Sequence, residues 1–339
     1  MTRRVPAGVS GVLATAVVLG AAPVLADPGS ASPSPSSSPA GSDEGGVSER
    51  DRVDVAPSGH AFKQLTIDNP LGDVRVEGYD GTSIRIETRK HAPDDDALDR
   101  LRVSLIPPDA DGNVRITTTA DPGGPEGKPV RRGNVRIDIV IRAPRDARVD
   151  ATVGAGHLDI EGMEAGGELD TASGPITVHH VSGNLYTHSV SGDTTLSEVF
   201  GSIDAQSLAS DVQLDSITGS KLVASVDRGK IDGRRVRSRE IELTTTEGPI
   251  VLEAEASLRG VIRVATLHGD IDVRLHRGDR TRNAIVVRAT GLKVDLGAQA
   301  QAQERGDGWR QATFGIASND AASIEMRSRY GNVVFAIIE

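Results

Sequence analysis

The sequence predicts an all-β chain: a parallel β-solenoid, or single-stranded β-helix, with two short strands per rung of about 18 residues and an irregular β N-terminal part carrying one short helix. Three observations predict it. A glycine recurs at near-constant spacing through the middle of the chain, apolar residues follow it at the second and fourth positions, and a second series of starts falls near the midpoints.

Residues 1–26 open with Arg3 and Arg4, continue through the apolar run Val9–Ala22 and end at Val24-Leu25-Ala26 before Asp27-Pro28. This is the pattern of a secretory signal peptide, so a secreted or extracytoplasmic cell-envelope location is expected. The chain has no Cys, which excludes a lipid-modified cysteine, disulfides, thiolate catalysis and Cys-ligated zinc. No second apolar run of membrane length occurs, so no transmembrane segment is expected in the mature chain. Residues 27–50 are rich in Ser, Pro, Gly and Ala without periodicity and read as a disordered linker.

Residues 51–150 read as an N-terminal β region and cap. Leu65-Thr66-Ile67, Val74-Arg75-Val76, Ile84-Arg85-Ile86, Val114-Arg115-Ile116 and Val135–Ile141 alternate as strands, outside the later register. Residues 93–101 begin with Asp94, Asp95 and Asp96 and place Leu98 and Leu101 three apart, which predicts a short helix whose acids complement its dipole. Such a helix would cover the first rung and block its open edge.

Residues 151–339 read as the solenoid, continuous with that region. The starts are Gly156, Gly174, Gly192, Ser210 in the glycine slot, Gly229, Gly248 and Gly269, at intervals of 18, 18, 18, 19, 19 and 21. Gly183, Gly201, Gly219, Arg239 and Gly260 form the second series, so the elementary unit is one strand and one turn of about nine residues. Strand alternation sends Leu158/Ile160, Ile176/Val178, Thr194/Leu196, Val212/Leu214, Ile231/Gly233, Ile250/Leu252 and Ile271/Val273 inward. The other strand of each rung contributes sets such as Leu169/Thr171/Ser173 and Ile241/Leu243/Thr245, large at one edge and small or hydroxylic at the other. One unit cannot bury its apolar face alone; units stacked at about 4.8 Å can, in a stack expected to be right-handed. After Val273 the register loosens, 297–308 is a Gln/Ala/Gly-rich insertion, and Ile324–Phe335 is expected to be the terminal rung.

Ile139-Val140-Ile141-Arg142-Ala143-Pro144, Val153-Gly154-Ala155-Gly156-His157-Leu158-Asp159-Ile160, the Thr-x-Ser-Gly-x-Ile unit at 171–176 and the closing segments Phe314–Ala317 and Ile324–Val333 together resemble the bacterial putative-adhesin family of exported β-solenoid domains of unknown function. The resemblance covers most of residues 60–338 and implies a bacterial envelope or secreted protein. Adhesion is the role that the family's name carries.

A net charge of −10 gives no general attraction for phosphate backbones, so nucleic acid is not expected as a partner. Only Tyr79, Tyr186, Trp309 and Tyr330 among eight aromatic residues could offer a stacking platform with a polar handle. The outward fifth positions Glu161, His179, Ser197, Asp215, Arg234, Glu253 and Arg274 read as a ladder of surface ion pairs, and Asp193 and Asp211 as solvated carboxylates rather than calcium ligands. His179 and His180 are adjacent and so point to opposite sides of a strand, which argues against a metal site. No cofactor, metal or catalytic residue is expected. The less charged face, with Tyr186, His188 and Val223, is the candidate ligand-binding face for a cell-envelope glycan or protein. The reading is a non-enzymatic binding or adhesion module; its alternatives are a structural or signalling accessory that binds a membrane protein or peptide, and a polysaccharide-active enzyme.

Overall fold

A computed structural model of the chain describes residues 17–18, 46–57, 60–120, 135–277, 284–297, 303–315 and 320–338. The expected signal peptide, apart from Val17–Val18, and the expected linker up to residue 45 lie outside the described residues. A strand at Val47–Val55 occupies the last positions assigned by composition to that linker.

The described residues are all-β, with one α-helix of four residues at Asp95–Leu98. Asp94 caps it, its carboxylate accepting from the Ala97 N–H at 2.7 Å. Through the middle of the chain, parallel pairing shifted by 18, 19 or 21 residues brings like positions of successive repeats together. Leu158 lies opposite both Val74 and Ile176, Ile176 opposite Thr194, and the series continues through Val212, Ile231, Ile250 and Ile271 to Val333. A second series places Ala151, Leu169, Thr187, Ala205, Ala224, Leu243, Val264 and Met326 in line. The aliphatic residues of both series are buried, and each Val, Leu, Ile or Met side chain contributes about 1.5–3 kcal/mol of apolar transfer.

The first corner needs glycine for a specific reason. Gly174 has φ +127°, and a Cβ there would collide with the carbonyl of Gly156 one repeat earlier; Gly192, with φ +139°, stands in the same way against Gly174. Ser210 occupies the slot without a left-handed φ, and its hydroxyl donates to the Gly192 carbonyl at 2.7 Å. Core hydroxyls three residues before the corner supply donors to its carbonyls: Thr171 to Gly174 at 3.1 Å and Thr245 to Gly248 at 2.9 Å. This accounts for the hydroxylic edge of the second series.

A second corner escapes the glycine pattern. His180, Glu198, Ser216 and Arg235 have φ of 57°, 53°, 56° and 51°, and Gly162 fills the same slot one repeat earlier with φ 72°. The left-handed residue interrupts alternation, so Val181, Val199, Ile217 and Val236 turn back into the core.

At both ends stacking order departs from chain order. Gln64–Leu71 lies between Asn113–Ala120 and Arg148–Ala155, and Val74–Tyr79 between Arg136–Pro144 and Leu158–Glu161. Ala322–Ser328 lies between Val261–His268 and Ile285–Thr290, and Val333–Ile338 between Ile271–His276 and Val294–Asp295. The segment expected to be terminal is therefore inserted, and the earlier segment lies outside it. Insertion covers both strand edges and buries Met326, Val333 and Phe335. Buried Asn69 ties the amino-terminal insertion together: its amide donates to the carbonyls of Gly72 and Ile137, both at 3.0 Å, and its carbonyl accepts from Thr118 at 2.5 Å.

Antiparallel strands, rather than the helix, cover the outer edges. Ile84–Ala92 pairs with Arg136–Pro144 and carries Val47–Val55 outside it; Trp309–Phe314 pairs with Ile285–Thr290. The outer Val47–Val55 strand bears Glu49, Arg50, Asp51, Arg52 and Asp54, charges that oppose pairing with another chain.

Candidate binding face

Strands Leu185–Ser189, Ile203–Ala209 and Thr218–Arg228 alternate with Leu185, Thr187, Ile203, Ala205, Leu222 and Ala224 buried. Their register therefore lines up outward side chains: Glu168, Tyr186, Asp204, Val223 and Glu242 occupy consecutive positions across the strands. Tyr186 and Val223 line one shallow depression of about 320 Å³, together with Arg148, Asn184, Ser202, Asp204 and Lys221. His188 is two positions further along the Tyr186 strand and beside the depression, its Nδ1 3.7 Å from Asp170.

The face is more acidic than its less charged reading. Alternation itself turns Glu168, Asp204 and Glu242 outward, and none of the three makes an ion pair among the described residues. Burial pushes the Tyr186 phenol above its ordinary range, and Asp204, Asp170 and Glu168 add to it. Burial also raises the Asp170 carboxyl, with Glu168 next; His188 pulls the other way. Asp150 is better compensated, with Arg148 Nε at 2.9 Å and an amide hydrogen bond from Gln64 at 2.5 Å.

Other sequence candidates settle differently. The left-handed backbone at His180 leaves both His179 and His180 exposed, with ring centroids 5.9 Å apart rather than on opposite sides of a strand. His180 Nδ1 is 2.9 Å from Glu198 and His179 Nε2 is 3.9 Å from the same carboxylate. No group of three or more His, Cys, Asp or Glu side chains among the described residues could hold a metal ion.

The fifth-position ladder is not how the charges pair. Arg234 lies opposite Asp215 in register but closes on Asp232 at 3.2 Å in its own strand, while Arg235, swung round by its left-handed φ, takes Asp215. Arg274 closes on Asp272 at 2.9 Å and Glu253 on His276 at 2.7 Å. For Arg234 and Arg274 the same-face neighbour two residues back is within easy reach of the guanidinium and that contact wins, whereas Glu253 and His276 meet diagonally across adjacent strands.

The corner aspartates have a backbone role that residue type did not signal. Asp193 accepts from the Asp211 N–H at 3.1 Å, Asp211 from Lys230 N–H at 2.8 Å and Asp270 from Asn332 N–H at 2.7 Å. Each carboxylate satisfies a donor of the next strand in the stack.

No helix among the described residues is long and apolar enough to cross a membrane. No curated protein matches the chain. Among solved structures it is similar to a "putative cell adhesion protein" from Clostridium sporogenes, at 9% identity, 86% of this chain, 100% of that one and a TM-score of 0.30. It is similar to a "putative adhesin" from Bacteroides fragilis at 12% identity, 85% and 97% coverage and a TM-score of 0.37. A "putative lipid binding protein" from Parabacteroides distasonis gives 12% identity, 85% and 96% coverage and a TM-score of 0.38. The family model described as Toastrack DUF4097 matches residues 94–333, and the chain belongs to that family.

Proposed function

We propose that the chain is an exported, non-enzymatic binding module of the cell envelope, built as a parallel β-solenoid with two short strands per rung. Contact would come from a rigid, repetitive sheet face rather than from a deep pocket. The observation that carries this reading is the shared depression of Tyr186 and Val223, open, shallow and floored by buried Leu185 and Ile203. Strand pairing on both sides holds these side chains at fixed spacing, which lowers the ordering cost of a multipoint contact. The short turns and flat faces favour adhesion or docking over polysaccharide chemistry.

Binding of the purified full chain to peptidoglycan, anionic glycopolymer and membrane fractions tests this, with Tyr186→Ala/Val223→Ser alongside. Saturable binding to one fraction, weakened in the variant, is the expected result. A folded chain that binds none of them, or a variant that binds as well as the parent, contradicts it.

A further inference from the structure

The outward column through the candidate face alternates acid and apolar over five strands, Glu168, Tyr186, Asp204, Val223, Glu242, beyond which comes Arg263, already paired with Glu240 at 3.5 Å. With strands about 4.8 Å apart, its carboxylates recur every two strands, about 9.6 Å. Glu168 also has Asp150 opposite it in register, and like charges directly opposite cost stability. The depression between the acids is apolar at its floor, with the Tyr186 ring at one step and Val223 two steps further. Lys221 stands at the rim, in the neighbouring column.

Resting on the binding reading above, we infer that this face takes an extended basic peptide in polyproline-II conformation, with a lysine or arginine at every third position, laid along the stacking direction. Two dimensions carry the choice. A polyproline-II helix has three residues per turn at about 3.1 Å each, so every third side chain points the same way about 9.3 Å further on. From Glu168 to Glu242 is four strand spacings, about 19 Å, against about 18.6 Å for two such turns. A basic residue thus meets each carboxylate in turn, and the residues between, proline rings among them, lie over Tyr186 and Val223. A β-strand repeats its same-face side chains every two residues, about 6.7 Å, and loses register with the column after one step. The partner chemistry is cationic because the unpaired charges of these five positions are all carboxylates.

The test is fluorescence anisotropy of the full chain with labelled acetyl-(Lys-Pro-Pro)-amide of four repeats against a block isomer of the same composition, four lysines followed by eight prolines. Matched spacing should bind about tenfold more tightly than the block isomer at low salt. Glu168→Gln/Glu242→Gln, both on the surface, should reduce the periodic peptide to the level of the block isomer. Equal affinities, undiminished binding by the double variant, no binding of either peptide, or preference for a deacetylated amino-sugar oligomer would each overturn the inference. Envelope binding that still depends on Tyr186 while the peptides fail would remove this ligand and leave the binding module standing; loss of envelope binding with peptide selectivity intact would do the reverse.

Discussion

Ser189 donates its hydroxyl hydrogen to the carbonyl oxygen of Gly192 at 2.8 Å, on the core side of the strand that carries Tyr186 and His188. Thr187, two residues earlier on the same inward side, is fully buried and its hydroxyl has no hydrogen-bond partner among the described residues. Two hydroxyls in one short strand thus have opposite energetic consequences. Ser189→Ala should cost about 0.5–1.5 kcal/mol by removing one of the two hydroxyl hydrogen bonds to the corner carbonyl, which keeps the one from Ser210. Thr187→Val, of similar shape, should be neutral or gain up to about 1 kcal/mol by removing an unsatisfied group. Urea unfolding should show midpoints moving in opposite directions, or only that of Ser189→Ala moving, at unchanged slope.

The two corners differ in what a side chain costs them. Gly174→Ala meets both a left-handed φ and the Gly156 carbonyl, and should cost about 2–5 kcal/mol. His180 already bears the left-handed penalty, so His180→Gly should raise stability by up to about 1 kcal/mol, less the small worth of its exposed contact with Glu198. Thermal unfolding of the two variants checks the contrast; equal losses would mean that the corners are equivalent.

Asn69 holds the amino-terminal insertion through three hydrogen bonds to its own strand, Ile137 and Thr118. Asn69→Leu keeps the volume and removes every one of them, and should cost about 3 kcal/mol or more. Hydrogen exchange should then accelerate in 64–79 and 113–120 before it does in 185–226.

Acid should unfold the chain partly through two carboxylates. Burial raises Glu77 and Asp232, but hydrogen bonds from Arg75 and Arg142 to the first, and from Lys230 and Arg234 to the second, outweigh it and leave both below the usual carboxylate range. A lowered folded-state pKa means that the unfolded chain binds more protons in this window. Stability from these groups is complete above the ordinary carboxylate range and falls as pH drops through it. Asp170 is raised instead, by burial and Glu168, so its ionised form opposes folding at neutral pH. Asp170→Asn should therefore be more stable than the parent at pH 7, with the difference vanishing in acid, whereas Glu77→Gln should be less stable at pH 7 and shallower in its acid limb. Denaturant midpoints across pH check both signs.

Much of this architecture is visible in residue spacing. Gly156, Gly174 and Gly192 mark a corner because only a missing Cβ permits the close backbone approach, and Leu158/Ile160 and Ile176/Val178 mark the buried side through alternation. His180, Glu198, Ser216 and Arg235 carry no such mark, since polar side chains tolerate a left-handed φ at modest cost. The one trace they leave is the apolar residue after each, Val181, Val199, Ile217 and Val236, at the same repeat. The inserted segments are hidden for another reason: alternation in Leu65-Thr66-Ile67 or Ile324-Glu325-Met326 specifies a strand and its inward face, but not which neighbour it joins. At the candidate face, Tyr186 and Val223 draw attention as aromatic and apolar residues, while Asp204 between them becomes informative only once the register is known.

The most direct test of the central claim is hydroxyl-radical footprinting of the full chain with and without the envelope fraction that it binds. The account predicts protection concentrated at Tyr186, His188 and Val223, with exposed Phe200 at another corner and exposed Tyr330 near the carboxyl-terminal end unchanged. Protection at Phe200 or Tyr330 with Tyr186 still fully reactive would contradict it and move the contact surface off this face.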